Sequence, residues 1–144
     1  MMDISNEIKG ISKRLGVFTK IVKGERYSFL KKSIYEKYID SNLTGSFLWE
    51  RFKRELQSSV CNTNAWMLIG KLVDEKQCIL IIFEEKIAFE FQTPDDLINV
   101  ISETYLLDDF YVTNHSCSYL ICNNHHDYLI CCGNARVKLL EIFN

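Results

Sequence analysis

Residues 122–133 read CNNHHDYLICCG and bring Cys122, His125, His126, Asp127, Cys131 and Cys132 into one short stretch. Imidazoles, a carboxylate and thiols so close together raise two chemistries, a metal centre and a Cys–His nucleophile. Zinc takes four ligands in a tetrahedron, often supplied as two well-spaced pairs. Cys122 and His125 have a usable spacing, but adjacent His125 and His126 are hard to use together and no second spaced pair follows, so no metal is expected. A Cys–His nucleophile needs the thiol beside the imidazole in a cleft. Cys122 is the near candidate, and a hairpin offers it neither a helix N-terminus nor an oxyanion hole. The expected role is a turn: His125 and His126 cap it, Asp127 fixes its backbone, and its polar, partly aromatic tip is a contact point.

The other chemistry-bearing groups are acid pairs: Glu84 with Glu85, Asp95 with Asp96, and Asp108 with Asp109. Paired carboxylates can do acid–base chemistry, but these positions read as a turn, a helix start and a loop. The chain has no phosphate-binding G-x-x-x-x-G-K, no G-x-G-x-x-G, no H-E-x-x-H and no G-x-S-x-G. Neither a catalytic residue nor a cofactor is expected from these patterns.

The elements that must position these groups follow from periodicity. YLIC occurs twice, at Tyr119–Cys122 and Tyr128–Cys131, around the polar residues 123–127. Two apolar runs about a short polar loop predict a hairpin, and runs apolar at nearly every position predict a central one covered on both faces. Upstream, FYVTN predicts a further strand. Ile4, Ile8, Ile11 and Leu15 share one helical face, and ERYSFLKKSIYEKYI carries Phe29, Leu30, Ile34, Tyr35 and Tyr38 on another. SFLWERFKREL predicts a third helix, with Leu48, Trp49, Phe52 and Leu56 on one side, Ser46 as N-cap and Glu50 in its first turn. AWMLIGKLV, QCILIIF and IAFEF then read as strands joined by the turns DEK and EEK. Thr93 and Pro94 open a helix whose buried stripe is Leu97, Val100, Ile101 and Tyr105. Gly133 and Asn134 break the chain before a last helix, ARVKLLEIF. The expected fold is α+β, with helices packed on a mostly antiparallel sheet of about five to six strands. It forms a single domain: 1–60 helical, 61–133 sheet with one inserted helix, and 134–144 a C-terminal helix.

At 144 residues, 47% hydrophobic and 25% charged, the chain has the size and composition of one globular domain. No apolar run approaches the roughly 18–20 residues of a membrane span, and the N-terminus MMDISNEIKG lacks the apolar core of a secretory signal. Six cysteines, mostly in strand-like runs, then read as reduced thiols in a cytoplasmic protein. Charge is divided unevenly. Residues 1–60 carry 12 Lys and Arg against 7 Asp and Glu, whereas residues 61–144 carry 5 against 12, within an overall net charge of −2. Lys9, Lys13 and Arg14 in the basic half suit nucleic acid, and the carboxylates of the acidic half suit a basic protein.

The tail FYVTN…YLICNNHHDYLICCG, led by SETYLLDDFYV as a helix, resembles small bacterial proteins of unassigned biochemistry that are themselves similar to immunity proteins encoded beside polymorphic or contact-dependent toxins. The resemblance covers mainly residues 100–133. It implies a non-catalytic cytoplasmic inhibitor that binds the C-terminal domain of one cognate toxin, a nuclease being the expected kind, and occludes its active site. The candidate contacts are Glu84, Glu85, Glu90, Asp95, Asp96, Asp108, Asp109, His125, His126 and Asp127. Nucleic acid and membrane are not the expected partners. The alternative is a small nucleic-acid-binding or regulatory module using the basic N-terminal helices, with an enzyme built on His125, His126 and Asp127 in third place.

Overall fold

A computed structural model describes residues 3–73 and 77–143. The sheet is built outward from a hairpin of β3 (Cys78–Ile82) and β4 (Ile87–Phe91), closed by a 3-10 turn over Phe83–Glu85 and by Lys86 in the left-handed region at φ 54°. Helix α4 (Pro94–Ile101) carries the chain across to β5 (Phe110–Thr113), which pairs with the other side of β3. Strands β6 (Tyr119–Asn123) and β7 (Tyr128–Gly133) continue the meander. Two strands from the N-terminal region complete it at the margins: β1 (Thr19–Val22) on β4 and β2 (Gln57–Cys61) on β7. The result is a seven-stranded sheet in the order β1-β4-β3-β5-β6-β7-β2, with every neighbouring pair antiparallel.

Strand side chains alternate between faces, and both faces are covered. On one side, α1 (Ile4–Leu15), α3 (Ile69–Leu72), α4 and α5 (Asn134–Phe143) pack over Leu80, Phe89, Phe91, Val112, Ile121, Leu129 and Cys131. On the other, α2 (Glu25–Tyr38) and Phe52 pack over Ile79, Ile81, Leu120, Cys122, Ile130 and Cys132. This double cover explains why β3, β6 and most of β7 are apolar at successive positions rather than alternating. The hairpin over the repeated YLIC is therefore interior to the sheet on both faces, as its composition requires.

Local signals account for the helix ends. Asp3 caps α1 by accepting from the Asn6 amide at 2.8 Å, and Gly16 ends the helix at φ 69°. Thr93 caps α4 by accepting from the Asp96 amide at 3.1 Å, with Pro94 in the first turn. Gly133 is constrained more tightly. Its φ is 67°, and a Cβ there would lie 2.5 Å from the Ser118 carbonyl oxygen and 2.7 Å from the Tyr38 hydroxyl. Only glycine fits where the last strand turns into α5.

Several expectations are corrected. The sheet has seven strands rather than five to six, because the short β1 and β2 join it from the region read as purely helical. AWMLIGKLV is not a strand: Ala65–Leu68 is a 3-10 turn that leads into α3, which packs against α4 and α5. SFLWERFKREL is not one helix but two 3-10 turns, Leu48–Arg51 and Arg54–Leu56. Backbone bonds from Asp40 to Arg51 and from Lys53 to Tyr38 hold this segment extended beside the end of α2 and bury Phe52 completely. In α2 the buried stripe includes Tyr27, and Phe29 faces outward. Helix α4 ends at Ile101, so SETYLLDDFYV is a loop running into β5 and Tyr105 is 94% exposed. The DEK turn lies outside the described residues.

Candidate functional site

The β6–β7 turn is built largely by Asn124. Its side-chain oxygen accepts from the amides of His126 at 3.0 Å and Tyr128 at 3.1 Å, and its backbone oxygen accepts from Asp127 at 3.1 Å. Asp127 takes the left-handed conformation at φ 65°, which aspartate tolerates better than most residues. The turn projects His125 and His126 beyond the end of the sheet, and both are exposed.

Asp109, just before β5, fixes that end. One carboxylate oxygen accepts from the His125 backbone amide at 2.8 Å and lies 2.9 Å from the His125 Nδ1. The other accepts from the Trp49 indole Nε1–H at 3.1 Å. A carboxylate facing Nδ1 holds the proton on that nitrogen and leaves Nε2 as the outward atom of the ring. The Trp49 backbone amide donates to the Tyr111 hydroxyl at 3.3 Å. Burial above all, reinforced by its neighbours Cys122 and Asp109, pushes the Tyr111 phenol far above its ordinary range, so it stays a neutral hydroxyl. Three distant segments thus meet at one carboxylate, whose side chain is only 14% exposed.

Four rings gather over this clamp. Phe47 stacks on Trp49 with centroids 5.7 Å apart and planes 10° from parallel. The His125 ring lies 4.9 Å from Phe47 and 4.1 Å from His126, and His126 meets Trp49 edge-on at 6.2 Å. A groove of about 290 Å³ runs beside them between Trp49, Glu50, Ser59, His126 and Tyr128. A second, of about 350 Å³, runs between Phe47, Arg51, Glu84, Asp109 and Tyr111.

A chain with this fold and this end also matches a described family along nearly its whole length, residues 2–143. The chain belongs to DUF6756, a family of unknown function. Neither the curated proteins nor the solved structures contain a match to it. In this DUF6756 chain the predicted contacts separate into three groups. Asp109, His125 and His126 meet at the ring cluster, Asp108 and Asp127 are exposed neighbours of them in sequence, and Glu84 borders the second groove with Asp109. Glu85 is turned elsewhere: its two oxygens accept from the Ile4 and Ser5 amides, both at 2.9 Å, at the start of α1. Glu90 is buried on β4 and engages His115. Asp95 and Asp96 open α4, on the opposite face of the sheet from the segment carrying Trp49.

Phe47, Trp49 and Tyr128 are site residues that periodicity assigned to helix or strand faces. The density of aromatics in SFLWERF was the only sequence signal for Phe47 and Trp49, and Tyr128 had none beyond its place in the second YLIC run. Cys122 gives the imidazoles no nucleophile. It is fully buried, and desolvation, reinforced by Asp109, holds its thiol well above the ordinary value and protonated. Among the described residues no group of three or more His, Cys, Asp or Glu is placed to hold a metal ion, and no helix is long and apolar enough to cross a membrane.

Proposed function

We propose that this protein is a non-catalytic, cytoplasmic binding protein that neutralises a cognate bacterial toxin domain by covering its active site, as the resemblance of residues 100–133 implies. The observation that carries the binding reading is the Phe47–Trp49–His125–His126 cluster, in which Phe47 and both imidazoles are exposed, Trp49 is half-buried, and the whole is clamped through Asp109. Aromatic side chains bury much area for little lost rotamer freedom, and rings already fixed in the free protein lose less on binding. Glu84, Asp108 and Asp127 are exposed around that end of the molecule. Such a rim suits a basic surface of the kind a nuclease presents to phosphate, and it accelerates encounter more than it strengthens the final complex. The basic residues of the first sixty do not form one opposing surface, since α1 and α2 lie on opposite faces of the sheet.

The test is co-purification and binding kinetics with the C-terminal domain of a large secreted protein encoded immediately upstream, together with rescue of growth when that domain is expressed. Trp49→Ala should speed dissociation by about tenfold or more, the scale of a central aromatic anchor. Glu84→Lys with Asp108→Lys should slow association and flatten its salt dependence, because steering is screened over about 8–10 Å at physiological ionic strength. Lys9→Glu with Lys13→Glu should leave both rates nearly intact. Absence of binding, or a complex indifferent to Trp49→Ala, would reject the surface. Duplex binding that is lost on reversing Lys9 and Lys13 would select the nucleic-acid alternative.

A further inference from the structure

A groove of about 640 Å³ lies between α2 and the turn joining β3 to β4. Its long wall is a single stripe of α2. Tyr27, Lys31 and Tyr35 follow at intervals of four residues and so lie one above another along the helix. Lys31 Nζ sits 5.4 Å from the centre of the Tyr35 ring, and Lys32 adds a second ammonium beside it. The opposite wall is Lys86, presented by its left-handed backbone at the end of the Phe83–Glu85 turn. Tyr27 joins the two walls by donating its hydroxyl to the Phe83 carbonyl at 3.4 Å. Three lysines line the groove and, among the described residues, no carboxylate does. The pair of Lys32 with Glu36 is long, at 4.0 Å, and exposed. Gly24, at the rim, begins α2 without a side-chain cap.

We propose that this groove binds a nucleoside phosphate. The lysines supply mobile ammonium donors for phosphate oxygens, and the half-buried Tyr35 ring offers an aromatic platform for a base once Lys31 turns from it to the phosphate. The volume falls within the usual 300–1,000 Å³ of small-ligand sites. Phosphate alone would leave the ring platform unused, and a neutral nucleoside would leave the lysines unpaired, so the two halves of the ligand act together. The source is either a free nucleotide or a terminus of a single strand, which share this chemistry. Tyr35 borders both this groove and the one beside Phe47 and Asp109, so the two sites adjoin, but Trp49 does not line this one.

The experiment is calorimetric titration of the full chain with ATP, adenosine, inorganic phosphate and a short 5′-phosphorylated oligo(dA). ATP or the oligonucleotide should bind saturably, and the tighter of the two names the source. Adenosine and inorganic phosphate should each bind at least about tenfold more weakly, as the loss of stacking or of charge contacts requires. Lys31→Ala with Lys86→Ala, at unchanged circular dichroism, should weaken the better ligand by at least about tenfold. Tyr35→Leu should do so selectively for base-bearing ligands. Lys9→Ala with Lys13→Ala, on the far face of the sheet, should have no effect. No saturable binding at millimolar nucleotide would overturn the assignment. So would inorganic phosphate binding as tightly as ATP, or a folded Lys31/Lys86 double variant with undiminished affinity.

Discussion

A carboxylate that accepts from two separate chain segments holds them at a fixed distance, and Asp109 does this between His125 and Trp49. Asparagine has nearly the same shape but only one acceptor oxygen, and its amide would meet donors on one side. Asp109→Asn should therefore free either the imidazole or the indole and destabilise the fold by about 1–3 kcal/mol, the cost of breaking a mostly buried charge-assisted contact. Denaturant unfolding measures the loss. The Trp49 indole N–H resonance, assigned in a Trp66→Phe background, should shift and broaden. An unchanged midpoint with an unchanged resonance would show that the rings are held by packing alone. Gly133 illustrates a different residue-scale constraint, where the Ser118 carbonyl excludes any side chain.

At the scale of elements, α1 depends on a group far away in sequence. The first amides of a helix have no intrahelical partner, and Glu85, on the turn before β4, accepts two of them. Glu7 makes a reciprocal tie from the same helix: it is buried and accepts from the Tyr105 and Leu106 amides at 2.9 and 3.1 Å. The helix is thus fastened to the sheet by carboxylates as well as by Ile8 and Ile11. Glu85→Ala should cost about 1–2 kcal/mol, the scale of a lost cap, and lower the melting temperature by about 3–8 °C. Partner association should be unaffected, because Glu85 is occupied at α1. A large fall in association rate with an unchanged melting temperature would return Glu85 to the contact surface.

At the scale of the whole molecule, the covered sheet sets the response to alkali. Burial pushes the thiols of Cys78 and Cys132 from 9.0 up to about 12, and the Tyr38 hydroxyl from 10.0 up to about 12. Each group releases its proton more easily when unfolded, so between these values the native state holds more protons and stability falls as pH rises. The stabilisation is complete below pH 9 and is lost through about 12. Unfolding free energy should be flat near neutrality and decline progressively above about pH 9. Cys78→Ala with Cys132→Ala should make that decline shallower, whatever their effect at pH 7. A profile as steep in the double variant would place the titrating groups elsewhere.

The α+β class, the helices at Ile4–Leu15, Glu25–Tyr38 and Pro94–Ile101, and the hairpin around His125 and His126 were all legible in the sequence. They rest on local physics: apolar spacing, the Thr93 cap with Pro94, and an Asn- and Asp-rich turn between two apolar runs. That this hairpin is covered on both faces was legible too, since an uninterrupted apolar strand must be covered twice; its place, the fifth and sixth of seven strands, is interior rather than central. Strands β1 and β2 were not legible, because TKIV and QSSVC are short, and β2 is largely polar, and they become strands only by pairing with β4 and β7, some seventy residues away. The same dependence on distant partners drew SFLWERFKREL out of a helix, where bonds to the end of α2 outweighed its spacing. It also sorted the carboxylates. Composition marks Glu84, Glu85, Glu90, Asp95, Asp96, Asp108 and Asp109 as equivalent charges, but only the folded chain decides their work. It commits Glu85 to a helix cap and Glu90 to a buried contact, and it makes Asp109 the clamp beneath Phe47 and Trp49. Periodicity reports which face of an element is apolar, whereas which side chains meet is settled by loop closure and sheet pairing across the whole chain.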